Sequence, residues 1–301
     1  MRDVYIINPA AGKYDSTESL SNQINAVYNG EAKILITSGE GDAMRLARAE
    51  AEIGDEVRIF ACGGDGTCFE VLNGIAGYKN ASIGVIPIGS ANDFIKYFGF
   101  DSKKIFLDIK KQKNATLMPI DLIKAGDKYC MNQCCAGLDA QVADTMKKYK
   151  RLPLVSGPMA YNLAVVRTIL GKIGINMKVI TDGEVFEDAS CLFAVCANAK
   201  VYGGGYVSAP KAEIDDGLLD CVTIRTVKKL QVPGLIPVYK KGNHEGLEVC
   251  RMGKCKKFQF VADREIPVSL DGEIIHTNSI TCEIIEKAIN FILPEGISNN
   301  C

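Results

Sequence analysis

Apolar residues follow two different rhythms along the 301-residue chain. In the first third, short β-prone runs alternate with stretches whose apolar positions recur every three or four residues. "VYIIN" (4–8), "KILIT" (33–37), "VRIFAC" (57–62) and "IGVIP" (83–87) read as strands. Between them, "STESLSNQINAVY", "GDAMRLARAEA" and "TCFEVLNGIAG" have helical spacing. A βαβαβ alternation of this kind predicts a parallel sheet with helices on its faces. In such sheets ligands bind beyond the carboxyl ends of the strands. "NPAAGK", "TSGEGD", "GGDGT" and "GSAND" each follow a strand directly, so four polar loops are expected at one sheet edge.

After residue 115 or so the rhythm changes. "MPIDLIKAGDKYCMNQ" and "MKVITDGEVFEDASCLFAVCANA" contain strand-like runs broken by Gly-Asp or Asp-Gly, which signals hairpins. Helical spacing recurs only at about 139–149, 157–170 and 228–241. The reading is an α/β domain over 1–119 followed by a mainly antiparallel β domain over 120–288.

Composition narrows the function classes. An apolar fraction of 47% and a charged fraction of 24% describe a folded protein with a large core. A net charge of -1 argues against a dedicated nucleic-acid binder. No apolar run approaches the roughly 18 residues of a spanning helix, and the N-terminus lacks the run of a signal peptide. The expected location is cytoplasmic. Twelve cysteines with two histidines form no CxxC and a poor zinc inventory. Many lie in apolar strand-like runs, so they read as reduced, buried small hydrophobes.

The loop chemistry points to phosphate. Gly63, Gly64 and Gly66 let backbone N–H groups approach a bulky anion, and the helix that follows adds its positive end. Thr67 suits a helix cap or a phosphate contact. Asp65 at the centre of this loop would repel phosphate unless a divalent cation or a proton transfer is involved; the alternative is a plain turn. Asn8 to Lys13 offers N–H groups and a cation but is not a Walker A loop, because Tyr14 follows Lys13. Asn92 and Asp93 open a helix, where either can act as N-cap.

Taken in order, "NPAAGK", "TSGEGDA", "GGDGT" and "PIGSANDF", with "AEIDDGLLD" (212–220) and "SLDGE" (269–273) later on, resemble the diacylglycerol kinase catalytic-domain family. The nearest branch is the soluble bacterial lipid kinases related to sphingosine kinases; GGDGT by itself is shared with NAD kinases. The resemblance implies a nucleotide domain and a C-terminal β-sandwich domain with the active site between them, residues 289–301 returning to the first. It implies ATP as co-substrate, held by Asn8, Pro9, Ala10, Ala11, Gly12, Thr37, the 63–67 loop and Ser90, which replaces the family's usual Thr. A Mg²⁺ site is implied at Asp216 with the carbonyls of Glu213 and Leu218, although Asp-Asp-Gly is also common turn chemistry. Glu273 is implied as general base beside Asp65; taken alone it reads as a solvated strand residue.

The activity implied is transfer of the γ-phosphoryl group of ATP to a lipid hydroxyl, diacylglycerol giving phosphatidic acid. An NAD kinase-like enzyme and a non-catalytic lipid or nucleotide binder are the alternatives. Lys147, Lys148, Lys150 and Arg151 beside an apolar helix suit contact with anionic lipid, placing the protein peripherally at the inner membrane face; a solvated basic face is the other reading. A homodimer is compatible with either.

Overall fold

The computed structural model describes residues 1–150 and 157–297, and the chain divides into two compact units. The first comprises Met1–Leu122, Ile214–Asp216 and the segment from Ile285 onward. It opens with β1 (Arg2–Ile7), α1 (Thr17–Tyr28), β2 (Lys33–Ile36), α2 (Asp42–Glu52), β3 (Val57–Gly63), α3 (Asp65–Ile75) and β4 (Ala81–Pro87). A 3₁₀ turn (Phe94–Phe98) and two short helices, α4 (Lys103–Phe106) and α5 (Ile109–Lys113), follow. β1 pairs in parallel with β2 on one side and β3 on the other, and β3 pairs in parallel with β4.

β3 and β4 are buried at every position, as expected of strands covered on both faces. Tyr5 stacks on Phe60 at 4.4 Å, and Ile24 and Leu20 of α1 close over them. The register aligns the strand ends: Ile7 faces Ile36 and Cys62, and Gly63 faces Pro87. Four loops therefore leave the sheet side by side. The strand order 2-1-3-4 also reverses direction between β1 and β3, the kind of switch point at which open α/β sheets bind ligands.

β5 (Thr116–Ala125) leads into the second unit, which comprises Ile123–Glu213 and Gly217–Ile284. There follow β6 (Lys128–Cys130), β7 (Gln133–Gly137), α6 (Leu138–Lys150), α7 (Gly157–Leu170), β8 (Ile175–Thr181) and β9 (Glu184–Ala197). A small hairpin of β10 (Val201–Tyr202) and β11 (Tyr206–Val207) precedes β12 (Leu219–Arg225), α8 (Val232–Lys240), β13 (Cys250–Cys255) and β14 (Lys257–Leu270). β15 (Glu273–Leu293) begins here and ends in the first unit, where Asn290 and Phe291 pair in parallel with Ser82 and Ile83 of β4.

Pairing in the second unit is antiparallel. Its long strands change partners midway. β9 runs against β8 up to Cys191 and against β7 from Phe193; β14 pairs β8 around Phe260 and β7 around Ser269. A register shift between Val261 and Ile266 marks the bend in β14. Strands that bend from one sheet to another are how two antiparallel layers close over a common core. Most of the cysteines belong to this unit, with Cys62 and Cys68 in the first. All described cysteines are free thiols, buried except for the half-buried Cys250.

Candidate active site

The strand-end loops of the first unit are stitched into one surface. Asn8 N–H donates to Cys62 O, and Thr37 N–H donates to Ile7 O. Asn8 Nδ2 donates to Thr67 Oγ1 at 3.0 Å, and Asn8 Oδ1 accepts from Ala10 N–H at 3.0 Å. Gly63 O accepts twice, from Gly89 N–H at 2.9 Å and from Asn92 Nδ2 at 2.9 Å. α3 starts at Asp65 with Gly64 as its N-cap, so Thr67 is the third helical residue and does not cap. Its buried hydroxyl ties the first loop to the third.

Asp65 joins the third loop to the fourth. One carboxylate oxygen accepts from Asn92 N–H at 2.9 Å, the other from Asp93 N–H at 2.7 Å. Burial pushes its pKa up, the Asp93 carboxylate adds to this, and the two backbone N–H groups pull part of the way back. Asp93 is itself paired with Lys96 at 2.5 Å. Although it precedes the 3₁₀ turn, its side chain makes no capping bond. Asn92 occupies the left-handed region at φ 48, and its buried Oδ1 has no protein donor.

Glycine is required here by contact, not only by conformation. A Cβ at Gly89 would lie 2.3 Å from Gly64 Cα, and one at Gly12 would lie 2.5 Å from Ile88 O. Backbone thus packs directly on backbone across three loops, leaving main-chain N–H groups and the start of α3 as the surface. Such a surface suits phosphate oxygens. The residues fit a nucleotide: glycine walls for the phosphates, and Asn92 Oδ1 as an acceptor for a ligand donor. Ser90 and Gly12 are exposed at the rim, beside the half-buried Pro9 and Ala11.

Gly89 and Glu70 extend the set named from sequence, and Asn92 and Asp93, expected there as helix caps, instead bind Asp65 and Gly63. Glu70, on α3, accepts from Gly41 N–H at 2.8 Å and Ala43 N–H at 3.0 Å, which anchors the "SGEGD" loop and caps α2 from outside. Only an acid one turn into the helix after GGDGT hinted at this. The loop partners are 27 and 29 residues away.

The remaining sequence-named residues come from later in the chain. Glu213 is exposed, Asp216 and Leu218 are half-buried, and Gly217 between them is buried at φ 71 in a tight turn. One carboxylate with backbone carbonyls is an all-oxygen donor set, which fits a hard cation such as Mg²⁺. Among the described residues no three His, Cys, Asp or Glu side chains converge as a metal cluster. Glu273, in the second unit, is half-buried and opens β15 after the turn at Asp271 and Gly272, both at positive φ (48 and 97). That is the two-residue turn of a tight hairpin. The Asp271 carboxylate accepts from the backbone N–H groups of Met131, Asn132 and Gln133 and so fixes the turn that presents Glu273.

Lys147, Lys148 and Lys150 end α6, but their side chains, like the whole of Arg151, lie outside the described residues. No described helix is long and apolar enough to cross a membrane.

Comparison with known proteins matches both parts of the chain. A family model described as "Diacylglycerol kinase catalytic domain" matches residues 3–125. One described as "YegS C-terminal NAD kinase beta sandwich-like domain" matches 132–293. A "Probable lipid kinase YegS-like" of Shewanella frigidimarina is 32% identical over 80% of this chain and 78% of its own. A "Diacylglycerol kinase" of Bacillus subtilis is 26% identical over 89% of this chain and 88% of its own. The crystal structure of a diacylglycerol kinase from Bacillus anthracis covers 99% of this chain and 98% of its own, with TM-score 0.70 and 22% identity. That last likeness speaks for the fold alone. With a kinase model on the loops, a YegS model on the β domain and a relative spanning both, the chain belongs to the YegS-like lipid kinases of the diacylglycerol kinase family, enzymes for which ATP is the implied co-substrate.

Proposed function

We propose that the protein transfers the γ-phosphoryl group of ATP to the hydroxyl of a lipid, diacylglycerol giving phosphatidic acid, with Mg²⁺. The observation that carries this reading is the glycine surface at the β1/β3 strand ends, held by Asp65 and Asn8. The lipid is suggested by the relatives, a YegS-like lipid kinase and a diacylglycerol kinase. Backbone N–H groups of the 63–67 loop and of Gly12 would orient the phosphates with no flexible side chain to order, while the N–H groups of Asn8, Ala10 and Ala11 are spent on shaping the first loop. Phosphoryl transfer needs mainly such positioning and charge neutralisation.

Asp65, with both oxygens committed to Asn92 and Asp93, acts first as a positioning residue that keeps two loops in contact. Each oxygen keeps a second lone pair that could help hold Mg²⁺. Asp216, with the carbonyls of Glu213 and Leu218, would hold the metal. When bound, Mg²⁺ supplies neutralisation of the phosphate charge as it shifts toward the leaving group. Glu273 would accept the acceptor's hydroxyl proton as that oxygen bonds to the γ-phosphorus and the bond to the ADP oxygen breaks.

The test is a panel with γ-labelled ATP and mixed micelles of diacylglycerol, monoacylglycerol, sphingosine, ceramide or phosphatidylglycerol, plus soluble NAD. Labelled phosphatidic acid as the main product is expected. Label on NAD, or on no acceptor, would refute the reading.

A further inference from the structure

Helix α7 of the second unit carries large apolar residues on its outer face. Its buried positions include the small Ala164 and the polar Thr168, whose hydroxyl donates to Ala164 O at 2.7 Å. Ile169 packs on the core, but four other large apolar residues point to solvent: Met159 is 51% exposed, Leu163 41%, Val166 57% and Leu170 73%. At about 100° per residue, spacings of four, three and four keep all four within roughly 60° of arc. They form one stripe along the helix. Leu230, 94% exposed, joins its end, because neighbouring Lys229 Nζ donates to the carbonyl of Leu170 at 2.7 Å. A stripe with this spacing ordinarily faces a core, and an exposed one marks a partner.

Charge identifies the partner. Residues 145–181 contain seven Lys or Arg and no Asp or Glu; residues 221–244 contain five and none, in a chain of net charge -1. Of these, Arg225 is taken by Glu187 at 2.9 Å. Arg167 and Lys172 on the helix and its exit, and Lys228 and Lys229 beside Leu230, are exposed. An apolar stripe on a stretch of chain that carries cations and no acid matches a surface that is anionic outside and hydrocarbon within. A second copy of the same face would set cation against cation.

We propose that the α7 stripe and Leu230 insert into the interface of an anionic phospholipid bilayer, with Arg167, Lys172, Lys228 and Lys229 at the level of the phosphates. This deepens the lipid-kinase reading, and rests on it for the assumption that the acceptor resides in a bilayer. The binding differs from attraction through Lys147 to Arg151, since it depends on apolar side chains that salt does not screen.

The protein has no tryptophan, so Leu230→Trp provides a single reporter. Its emission should shift to the blue with vesicles of mixed phosphatidylglycerol and phosphatidylcholine, and be quenched by bromolipids; no shift would overturn the proposal. Serine at Leu163, Val166, Leu170 and Leu230 together should lower co-sedimentation with those vesicles at least about tenfold, as several buried methyl and methylene groups are withdrawn. Circular dichroism checks that this variant is folded, and its activity on monomeric short-chain diacylglycerol should equal that of the parent. Undiminished sedimentation of the folded variant would refute the inference. A change from dimer to monomer with vesicle binding intact would assign the face to a second copy instead. If binding behaves as expected while no lipid is phosphorylated, docking stands and the kinase reading fails.

Discussion

Alanine at Gly89 tests how closely the loops must pack to receive a nucleotide. Its Cβ would lie 2.3 Å from Gly64 Cα, 2.8 Å from Gly64 N and 3.2 Å from Gly63 O. All three are backbone atoms, so no rotamer change can make room. Carbon atoms settle at about 3.5–4.0 Å, so the third and fourth loops must separate by about 1 Å or more. That movement stretches the Gly89 N–H to Gly63 O bond, now 2.9 Å, out of hydrogen-bonding range. Overpacking costs about 1–3 kcal/mol and the lost bond about 0.5–1.5. Together they predict a fall in Tm of roughly 5–10 °C. The parted surface should bind ATP at least about tenfold more weakly, a loss of about 1.4 kcal/mol.

Gly39→Ala is the control, since nothing lies within 4 Å of a Cβ there and the backbone is not left-handed. It should stay within about 0.5 kcal/mol of the parent. Thermal unfolding by circular dichroism and ATP titration by calorimetry read both effects. A Gly89→Ala protein with the parent's Tm and ATP affinity would show that the loops are not held as described.

Other substitutions separate the acids. Asp65→Asn turns an amide N–H toward a backbone donor; it should cost about 1.5–3 kcal/mol by thermal unfolding and lower kcat more than tenfold. A variant with the parent's kcat would remove Asp65 from the mechanism. Glu273→Gln should leave Tm nearly unchanged while kcat falls about 100-fold, so a loss of stability without loss of turnover would make Glu273 structural. Asp216→Ala should raise the Mg²⁺ concentration for half-maximal rate, and an unchanged titration would leave that segment a plain turn. Glu50 tests the pH dependence of the first unit. Burial alone would raise its pKa, but hydrogen bonds and charge from Lys33 and Arg2 outweigh burial and hold the carboxyl below its usual range. The stability it contributes is present above the unfolded value near 4.3 and is lost as pH falls through the lower folded value. The Tm gap between parent and Glu50→Gln should therefore be full at neutral pH and close in acid; a gap that widens in acid would contradict the sign.

Local rules made much of this readable from sequence. Strand-helix alternation located β1 to β4 and the loops after them, and α7 runs over the residues its spacing indicated. Asp271-Gly272 forms the hairpin that its residue types demand. Hidden were the partners of the acids. Asp65 binds N–H groups 27 and 28 residues away, and Asp271 binds three that lie 138–140 away. A carboxylate's sequence neighbourhood does not record such partners. Ile214–Asp216 count with the first unit, where Asp121 N–H donates to Ile214 O at 2.7 Å, and no pattern in "EIDDG" announces that bond. The outward face of α7 was equally hidden, because a helix apolar on several sides does not say which side is buried.

Because β15 supplies the parallel neighbour of β4, the N-terminal sheet is finished by residues made about 200 positions later. On the ribosome, β1 to β4 and all four glycine-bearing loops emerge early, yet β4 must wait with an open edge while the β domain is synthesised. An unpaired strand buried at all seven positions in the finished protein is an aggregation hazard in a nascent chain. Asn114 Nδ2 to Glu295 and Glu295 N–H to Lys111 O close the same unit still later. A fragment ending near residue 284 would carry every glycine-bearing loop and still lack the strand that completes their sheet. In this chain the part translated first is the part completed last.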